Sequence, residues 1–269
     1  MTRVPAYDRD RVVAVVRDFY AFLTLIPRWT AGDFRDAPAG GWPELTDKAR
    51  SPLCKDATVC DLLRHLPYLM PVSESEGDNT DNDDSVDHLW GAGTCGDKSM
   101  ILPETCTIDY PGVYTLQSLA KHGMQGLFEP AGAGVVPPHV AVLTNGSWYG
   151  SWLLVDTQEG SATDFIIMER PERDTPDHDS TGYWRAYRTL PVDEMLEDWK
   201  AKFWELEWVV VPENDMDGVM YWLDARTDQV RDIYRRHGWP DNFQREECRQ
   251  ALTWYKICQA WQLAAIDGN

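Results

Sequence analysis

A short acidic run at residues 193–197 has the residue types and the spacing that best suit chemistry. Asp193 and Glu197 are four residues apart, which places both carboxylates on one face of a helix. Two neighbouring carboxylates repel each other, so one of them can keep a proton near neutral pH and act as a general acid or base. The same pair could instead hold a guanidinium group through charge-assisted hydrogen bonds. A structural explanation also fits, because acids in a first turn, here including Glu194, complement the helix dipole.

A second group of candidates is basic and lies near the C-terminus. Its members are Arg231, Arg235, Arg236, Arg245 and Arg249. The net charge of −19 argues against a nucleic-acid surface over the whole molecule, since phosphate binding depends on Lys and Arg. A local arginine track with aromatic neighbours could still bind phosphates and stack on unpaired bases. The alternative is an ordinary solvated helix face.

No catalytic or cofactor motif of known pattern occurs. The sequence lacks a nucleophile elbow, a P-loop, a dinucleotide fingerprint and an HExxH pair. Six cysteines without CxxC spacing and six scattered histidines predict reduced thiols, no metal and no cofactor. The N-terminus carries no apolar signal region, and no apolar run approaches a membrane span. We therefore expect a cytoplasmic protein with no membrane partner.

The sheet that would position these groups is predicted between residues 136 and 170. Three apolar runs at 139–143, 151–156 and 164–169 are separated by short turn-forming segments. Connections this short favour an antiparallel meander, because a parallel connection needs about a dozen residues or more. The runs are nearly continuous, so we expect helices to cover both faces. Further strands are predicted at 105–110, as an edge, and at 207–212 and 217–223.

Apolar periodicity predicts the covering helices. They span about 10–26, 58–66, 191–206, 227–237 and 243–261. On the helix after Pro191 the buried stripe is Leu196, Trp199, Phe203 and Leu206. A second stripe, formed by Asp193, Glu197, Lys200 and Trp204, lies a quarter turn away at the edge of the core.

Together these elements predict one α+β domain spanning residues 1–269. A central, mostly antiparallel sheet is flanked by N-terminal and C-terminal helices. A Rossmann-like α/β arrangement stays open, since strands in the N-terminal half are hard to place. Residues 73–87 carry seven carboxylates and predict a disordered, solvated loop.

Several segments resemble the fungal arginine-containing cyclodipeptide synthases. They are VRDFYAFL (16–23), GWP (41–43), DLLRHLPY (61–68), PPHVAVL (137–143), YGSWLLVDT (149–157) and VRDIYRRHGWP (230–240). The resemblance implies an aminoacyltransferase that condenses arginyl-tRNA with a second aminoacyl-tRNA into a cyclic dipeptide, a secondary metabolite. Both substrates are activated esters, so the implied chemistry is positioning and proton transfer without a cofactor or metal.

The resemblance also assigns residues. The family has an essential Asp-Asp-x-x-Glu motif, and the best match is Asp193-Glu194-Met195-Leu196-Glu197, which departs at Glu194. A rival match at residues 83–87 ends in Asp87. By this reading the acids select the arginyl group or transfer protons, and the arginines at 231–249 hold tRNA phosphates.

A non-enzymatic reading competes with this one. The YGSWLLVDTQEG stretch (149–160) between helices is also similar to Smi1/Knr4-type modules, which are α+β domains that dock protein partners. A weaker third reading is a small-molecule enzyme with a cationic substrate. RNA that co-purifies and is released steeply by salt would favour the tRNA-dependent enzyme.

Overall fold

The structure is a computed structural model that describes residues 6–69, 99–123, 128–172, 182–212 and 218–267. Within these ranges the helices are α1 (Arg9–Leu23), α2 (Asp47–Arg50), α3 (Ala57–His65), α4 (Val113–His122), α5 (Val192–Trp204), α6 (Ala225–Arg236) and α7 (Arg245–Asp267). The strands are β1 (Phe34–Arg35), β2 (Tyr68–Leu69), β3 (Met100–Leu102), β4 (Thr105–Thr107), β5 (Val140–Val142), β6 (Thr144–Asn145), β7 (Trp152–Asp156), β8 (Ser161–Phe165), β9 (Arg188–Pro191), β10 (Val209–Val210) and β11 (Val219–Met220).

The strands form four small sheets rather than one central sheet. Their orders are β5-β7-β8-β9, β3-β4-β6, β1-β2 and β10-β11. Every strand pair in the described ranges is antiparallel. The α+β prediction is confirmed. The Rossmann-like alternative requires parallel pairs, which do not occur in this part of the chain.

The four-stranded sheet is the predicted meander with β9 added. All five residues of β7 are buried, and β7 pairs with β5 on one side and β8 on the other. The third predicted strand, 164–169, is displaced, because the strand occupies Ser161–Phe165. The hydroxyls of Thr163 and Thr189 lie 2.8 Å apart across β8 and β9, so polar residues can be buried there without losing hydrogen bonds.

Helices α1 and α5 pack together through large aromatic side chains. The ring centroids of Phe19 and Trp199 are 5.9 Å apart, and those of Phe22 and Phe203 are 6.1 Å apart. The predicted buried stripe of α5 is confirmed, since Leu196, Trp199 and Phe203 are at most 2% exposed. Helix α5 follows β9 directly and contacts β8 and β9 of the four-stranded sheet.

The helix ends follow local capping chemistry. The Asp8 side chain accepts a hydrogen bond from the Arg11 amide at 2.8 Å and caps α1. Asp224 caps α6 by accepting from the Thr227 amide at 2.7 Å, so the prediction that Thr227 is the cap is wrong. Gly238, at φ +82°, ends that helix in the left-handed conformation, as its position predicts.

Three further expectations need correction or fall outside the description. The strand predicted at 105–110 as an edge is β4, which lies in the middle of its sheet. Cys106 is disulfide-bonded, so the expectation of reduced thiols is wrong there, because spacing alone does not reveal such a pairing. Cys54, Cys60, Cys248 and Cys258 are free thiols.

The acidic segment 73–87 lies outside the described residues. Among the described helices, none is long and apolar enough to cross a bilayer.

The packing of α5 gives a direct stability test. Replacing Trp199, which is 1% exposed, with alanine should lower the free energy of unfolding by about 3 to 5 kcal/mol through lost burial and an unfilled cavity. Trp254, which is 67% exposed, provides the matched control, and its change to alanine should cost less than about 0.5 kcal/mol. Urea denaturation measures both. Equal losses in the two variants would contradict the packing described.

Candidate functional site

The acids predicted to share one site instead form separate ion pairs along the seam between α1 and α5. Asp193 accepts a hydrogen bond from the Arg11 guanidinium, and both side chains are about 40% exposed. The sequence predicted that Asp193 could bind a guanidinium group, and Arg11 of the same chain supplies that group. One turn farther along α5, Glu197 pairs with Lys200 Nζ at 2.7 Å. Lys200 also pairs with Asp18 of α1.

The second predicted stripe of α5 therefore lies at the contact with α1. Its ionic members face α1, and Trp204 lies 5.8 Å from Phe22 between ring centroids. Glu194 is exposed. Beside Asp193 a cleft lined by Tyr7, Arg11 and Val192 has a volume of about 10 Å³, which is close to what one water molecule needs.

The predicted arginine track is divided between interior and surface. Arg231 is 8% exposed and donates to the carbonyls of Leu206 and Glu207 at 2.9 and 3.2 Å. Arg245 donates to three carbonyls after α1, at distances between 2.6 and 3.2 Å. These two guanidinium groups join helices by satisfying backbone acceptors at helix ends.

The remaining arginines lie nearer the surface. Arg235 is exposed and pairs with Asp232 at 3.2 Å. Arg236 is exposed, and Arg249 is partly buried. The structure does not bring the five side chains together on one face, since two of them are directed at backbone carbonyls within the fold.

A different surface stands out at the turn between β6 and β7. Gly146 and Gly150 allow a very tight loop, in which the Gly150 amide donates to the Gly146 carbonyl at 2.7 Å. A Cβ on Gly150 would lie 2.1 Å from the Glu104 carbonyl oxygen, so only glycine fits against the β3–β4 turn. The Ser151 amide donates to Thr105 Oγ1 at 2.8 Å, and the Trp152 indole donates to the Ser147 carbonyl at 2.9 Å.

This rigid loop presents apolar side chains to solvent. Trp148 and Tyr149 are 47% and 62% exposed. The Met168 amide donates to the Trp148 carbonyl at 3.1 Å, which brings the 58% exposed Met168 side by side with the loop. After β11, Tyr221 and Trp222 stack at 4.3 Å. The carboxylates of Glu104, whose carbonyl packs against Gly150, and of Glu169, which follows Met168, both act on Tyr221, so this aromatic pair lies near the loop. We call Trp148, Tyr149, Met168, Tyr221 and Trp222 together the aromatic rim.

Carboxylates surround the aromatic rim. Burial raises the pKa of Tyr221, and the nearby carboxylates of Glu104 and Glu169 raise it further. Burial also raises the pKa of Glu169, with the Asp164 carboxylate adding to the effect and Lys202 opposing it. The rim is thus an apolar surface in a negative field.

Asp164 is a further acid of this group, and its carboxylate acts on Glu169. Burial raises its pKa, while hydrogen bonds from the Ser151 hydroxyl and the Trp199 indole oppose the shift. The indole nitrogen lies 3.4 Å from Asp164 Oδ2. Asp164 Oδ1 is buried and lacks a hydrogen-bond partner among the described residues. A nearby positive charge would compensate this oxygen.

Three histidines, His65, His139 and His237, make contacts within the fold. His65 Nδ1 lies 2.8 Å from the Asp61 carbonyl, and His237 Nδ1 lies 2.7 Å from the Ile233 carbonyl, each one turn earlier in its helix. His139 Nε2 lies 3.8 Å from the buried Asp156 carboxylate, which also binds Arg185. Among the described residues, no group of three potential ligands is placed to hold a metal ion.

Comparison with known proteins identifies no relative. No family model matches the chain, and neither the curated proteins nor the solved structures include a significant match.

Sequence reasoning missed the aromatic rim and its acids. Asp164 begins the predicted apolar run 164–169 and Glu169 ends it, so both resembled ordinary strand boundaries. A usable signal was the pair of glycines that encloses two large aromatics at 146–150, because such a loop holds Trp148 and Tyr149 away from the core.

A second buried acid, Asp109, allows a pH test of the electrostatics. Burial raises the pKa of Asp109 to about 6, while Arg35 and the Gly112 amide oppose the shift. A carboxyl whose pKa is higher in the folded state stabilises the fold at low pH, and that stability is lost as pH rises from about 4 through about 6.

The Asp109→Asn variant should remove this loss. Relative to the wild type, its free energy of unfolding should rise between pH 4 and pH 7 by about 1 to 3 kcal/mol. Denaturation at several pH values measures the difference, and the exposed Asp241→Asn variant is the control. A difference that does not change with pH would show that Asp109 titrates normally.

Proposed function

We propose that this chain is a protein-docking module that binds a partner through the aromatic rim. The observation that carries the proposal is the loop at residues 146–150. Its backbone is fixed by hydrogen bonds and two close glycine contacts, yet Trp148 and Tyr149 remain exposed. Folding fixes the backbone that carries these two side chains without burying them.

Such an arrangement lowers the cost of association. Large aromatic side chains are frequent hot spots in protein interfaces, because they bury much area with few rotatable bonds. A surface that is already rigid loses little conformational entropy when a partner binds. The similarity of this stretch to Smi1/Knr4-type docking modules agrees with the proposal.

The placement of the other candidate residues supports the same choice. Asp193 and Glu197 have cationic partners within the chain, Arg11 of α1 and Lys200 of α5. Lys200 also pairs with Asp18, so these contacts help connect α1 to α5. Arg231 and Arg245 donate to carbonyls of the fold. A structural role accounts for these four residues, whereas Trp148, Tyr149, Met168 and Trp222 of the rim keep 46 to 62% of their surface exposed.

Affinity capture tests the docking function. The immobilised wild-type chain should retain a defined partner from a lysate of its native host. The Tyr149→Ala and Trp222→Ala variants should each recover about tenfold less of that partner, as expected when a hot-spot side chain is truncated. Quantitative mass spectrometry measures the recovery.

Tyr114→Ala is the matched control. Tyr114 is 68% exposed on α4, so its truncation removes a similar aromatic surface outside the rim. Recovery should stay at the wild-type level in this variant. Equal retention by all variants would exclude the rim as the docking surface.

The cyclodipeptide synthase hypothesis stays a prediction, and it has a direct test. The wild-type chain and the Glu197→Gln variant are expressed in a heterologous host, and extracts are compared for arginine-containing cyclic dipeptides. The docking proposal expects none in either extract. If the wild-type extract contains such a product and the Glu197→Gln extract does not, the enzymatic function is supported and the docking proposal is wrong.

A further inference from the structure

We propose that the aromatic rim receives an arginine or lysine side chain from an extended segment of the partner protein. The inference rests on the proposed docking function and adds the chemistry of the ligand. It follows from the aromatic faces, the surrounding acids and the arrangement of nearby cations.

Aromatic faces and carboxylates occur together at the rim. Tyr221 and Trp222 are stacked, and the carboxylates of Glu104 and Glu169 lie close enough to raise the pKa of the tyrosine. A guanidinium or ammonium group over an aromatic face is attracted by the ring quadrupole, and a neighbouring carboxylate strengthens its binding. The two features therefore favour the same kind of ligand.

The cations already present leave this negative field uncompensated. Arg188 is held by Asp198 through two hydrogen bonds of 2.7 and 2.8 Å. Lys202 Nζ lies 4.7 Å from the centroid of the Trp208 ring, and Arg170 is exposed. Arg188 also acts on Asp164 and Glu172. Three cations, Arg170, Arg188 and Lys202, thus stand against five acids: Glu104, Asp164, Glu169, Glu172 and Asp198.

A buried oxygen gives a second reason for a cationic ligand. Asp164 Oδ1 has no hydrogen-bond partner among the described residues, and its carboxylate acts on Glu169 at the rim. A cation bound beside Glu169 would lower the electrostatic cost of charging both acids. An anionic ligand would raise that cost.

The same charges argue against the chain's own acidic segment as the occupant. Residues 73–87 carry seven carboxylates and no Lys or Arg, so they have the sign that the rim would repel. A nucleic acid is disfavoured for the same reason. A basic segment of another protein is the occupant with complementary charge.

Peptide titration tests the inference with the full-length chain. The probe is acetyl-(Gly-Arg)₃-amide, and its counterpart replaces each arginine by citrulline, which has the same shape without the charge. Changes in the tryptophan indole signals in two-dimensional NMR report binding. The arginine peptide should bind at least about fivefold more tightly than the citrulline peptide, a difference of about 1 kcal/mol.

Two pairs of variants distinguish the rim from the overall negative charge. Glu169→Gln and Tyr149→Ala should each weaken binding of the arginine peptide at least about threefold. Glu247→Gln removes an equal charge from an exposed position on α7, and Tyr114→Ala removes an exposed aromatic from α4. These two controls should bind as the wild type does.

The outcomes separate the inference from the docking function. Equal weakening by Glu169→Gln and Glu247→Gln, or equal binding of the two peptides, overturns the cationic ligand. If partner capture still depends on Tyr149 and Trp222 in that case, docking stands and only the ligand chemistry fails. If the arginine peptide binds at the rim but no partner is captured there, the docking function fails instead.

Discussion

The burial of β7 on both faces is the constraint that the rest of this structure satisfies. Trp152–Asp156 is paired along both edges, and all five side chains are buried. Helices and smaller sheets must therefore cover both faces of the strand. Buried polar groups must also find partners, since each unpaired one costs about 1 to 3 kcal/mol. At the end of β7, Asp156 accepts from the amides of Gln158 and Glu159 and from Arg185.

The need to give buried polar groups hydrogen-bond partners also determines how the two larger sheets are connected and how the rim is formed. Thr144 Oγ1 donates to the Ser151 carbonyl at 2.7 Å and accepts from the Leu153 amide at 2.8 Å. Thr105 Oγ1 accepts from the Ser151 amide. These hydroxyls take the place of backbone hydrogen bonds between strands at the point where the chain passes from β6 in one sheet to β7 in the other. The intervening loop must close over a very short distance, so its two bulky aromatics are held outside.

Much of the fold was predictable, because apolar periodicity reports burial directly. The stripes of α1 and α5 and the meander through β5, β7 and β8 follow from it. The position of β8 was predicted wrongly, since the apolar run extends past Phe165 while Ser161 and Thr163 are buried through hydrogen bonds. Arg231 also escaped prediction. It is buried because carbonyls exposed at the end of α5 need donors, and no local pattern encodes that need.

The same reasoning explains why the acidic run resembled an active site. Carboxylates spaced four apart on a helix are equally suited to share a proton and to pair separately with cations, here Arg11 of α1 and Lys200 of α5. The deciding information lies in α1, where Arg11 and Asp18 are seven residues apart and face the same seam. Spacing within one helix cannot report the charges of its neighbour. Solvent-exposed aromatics on a fixed backbone are a stronger indication of binding, because folding alone gives no reason to hold them there.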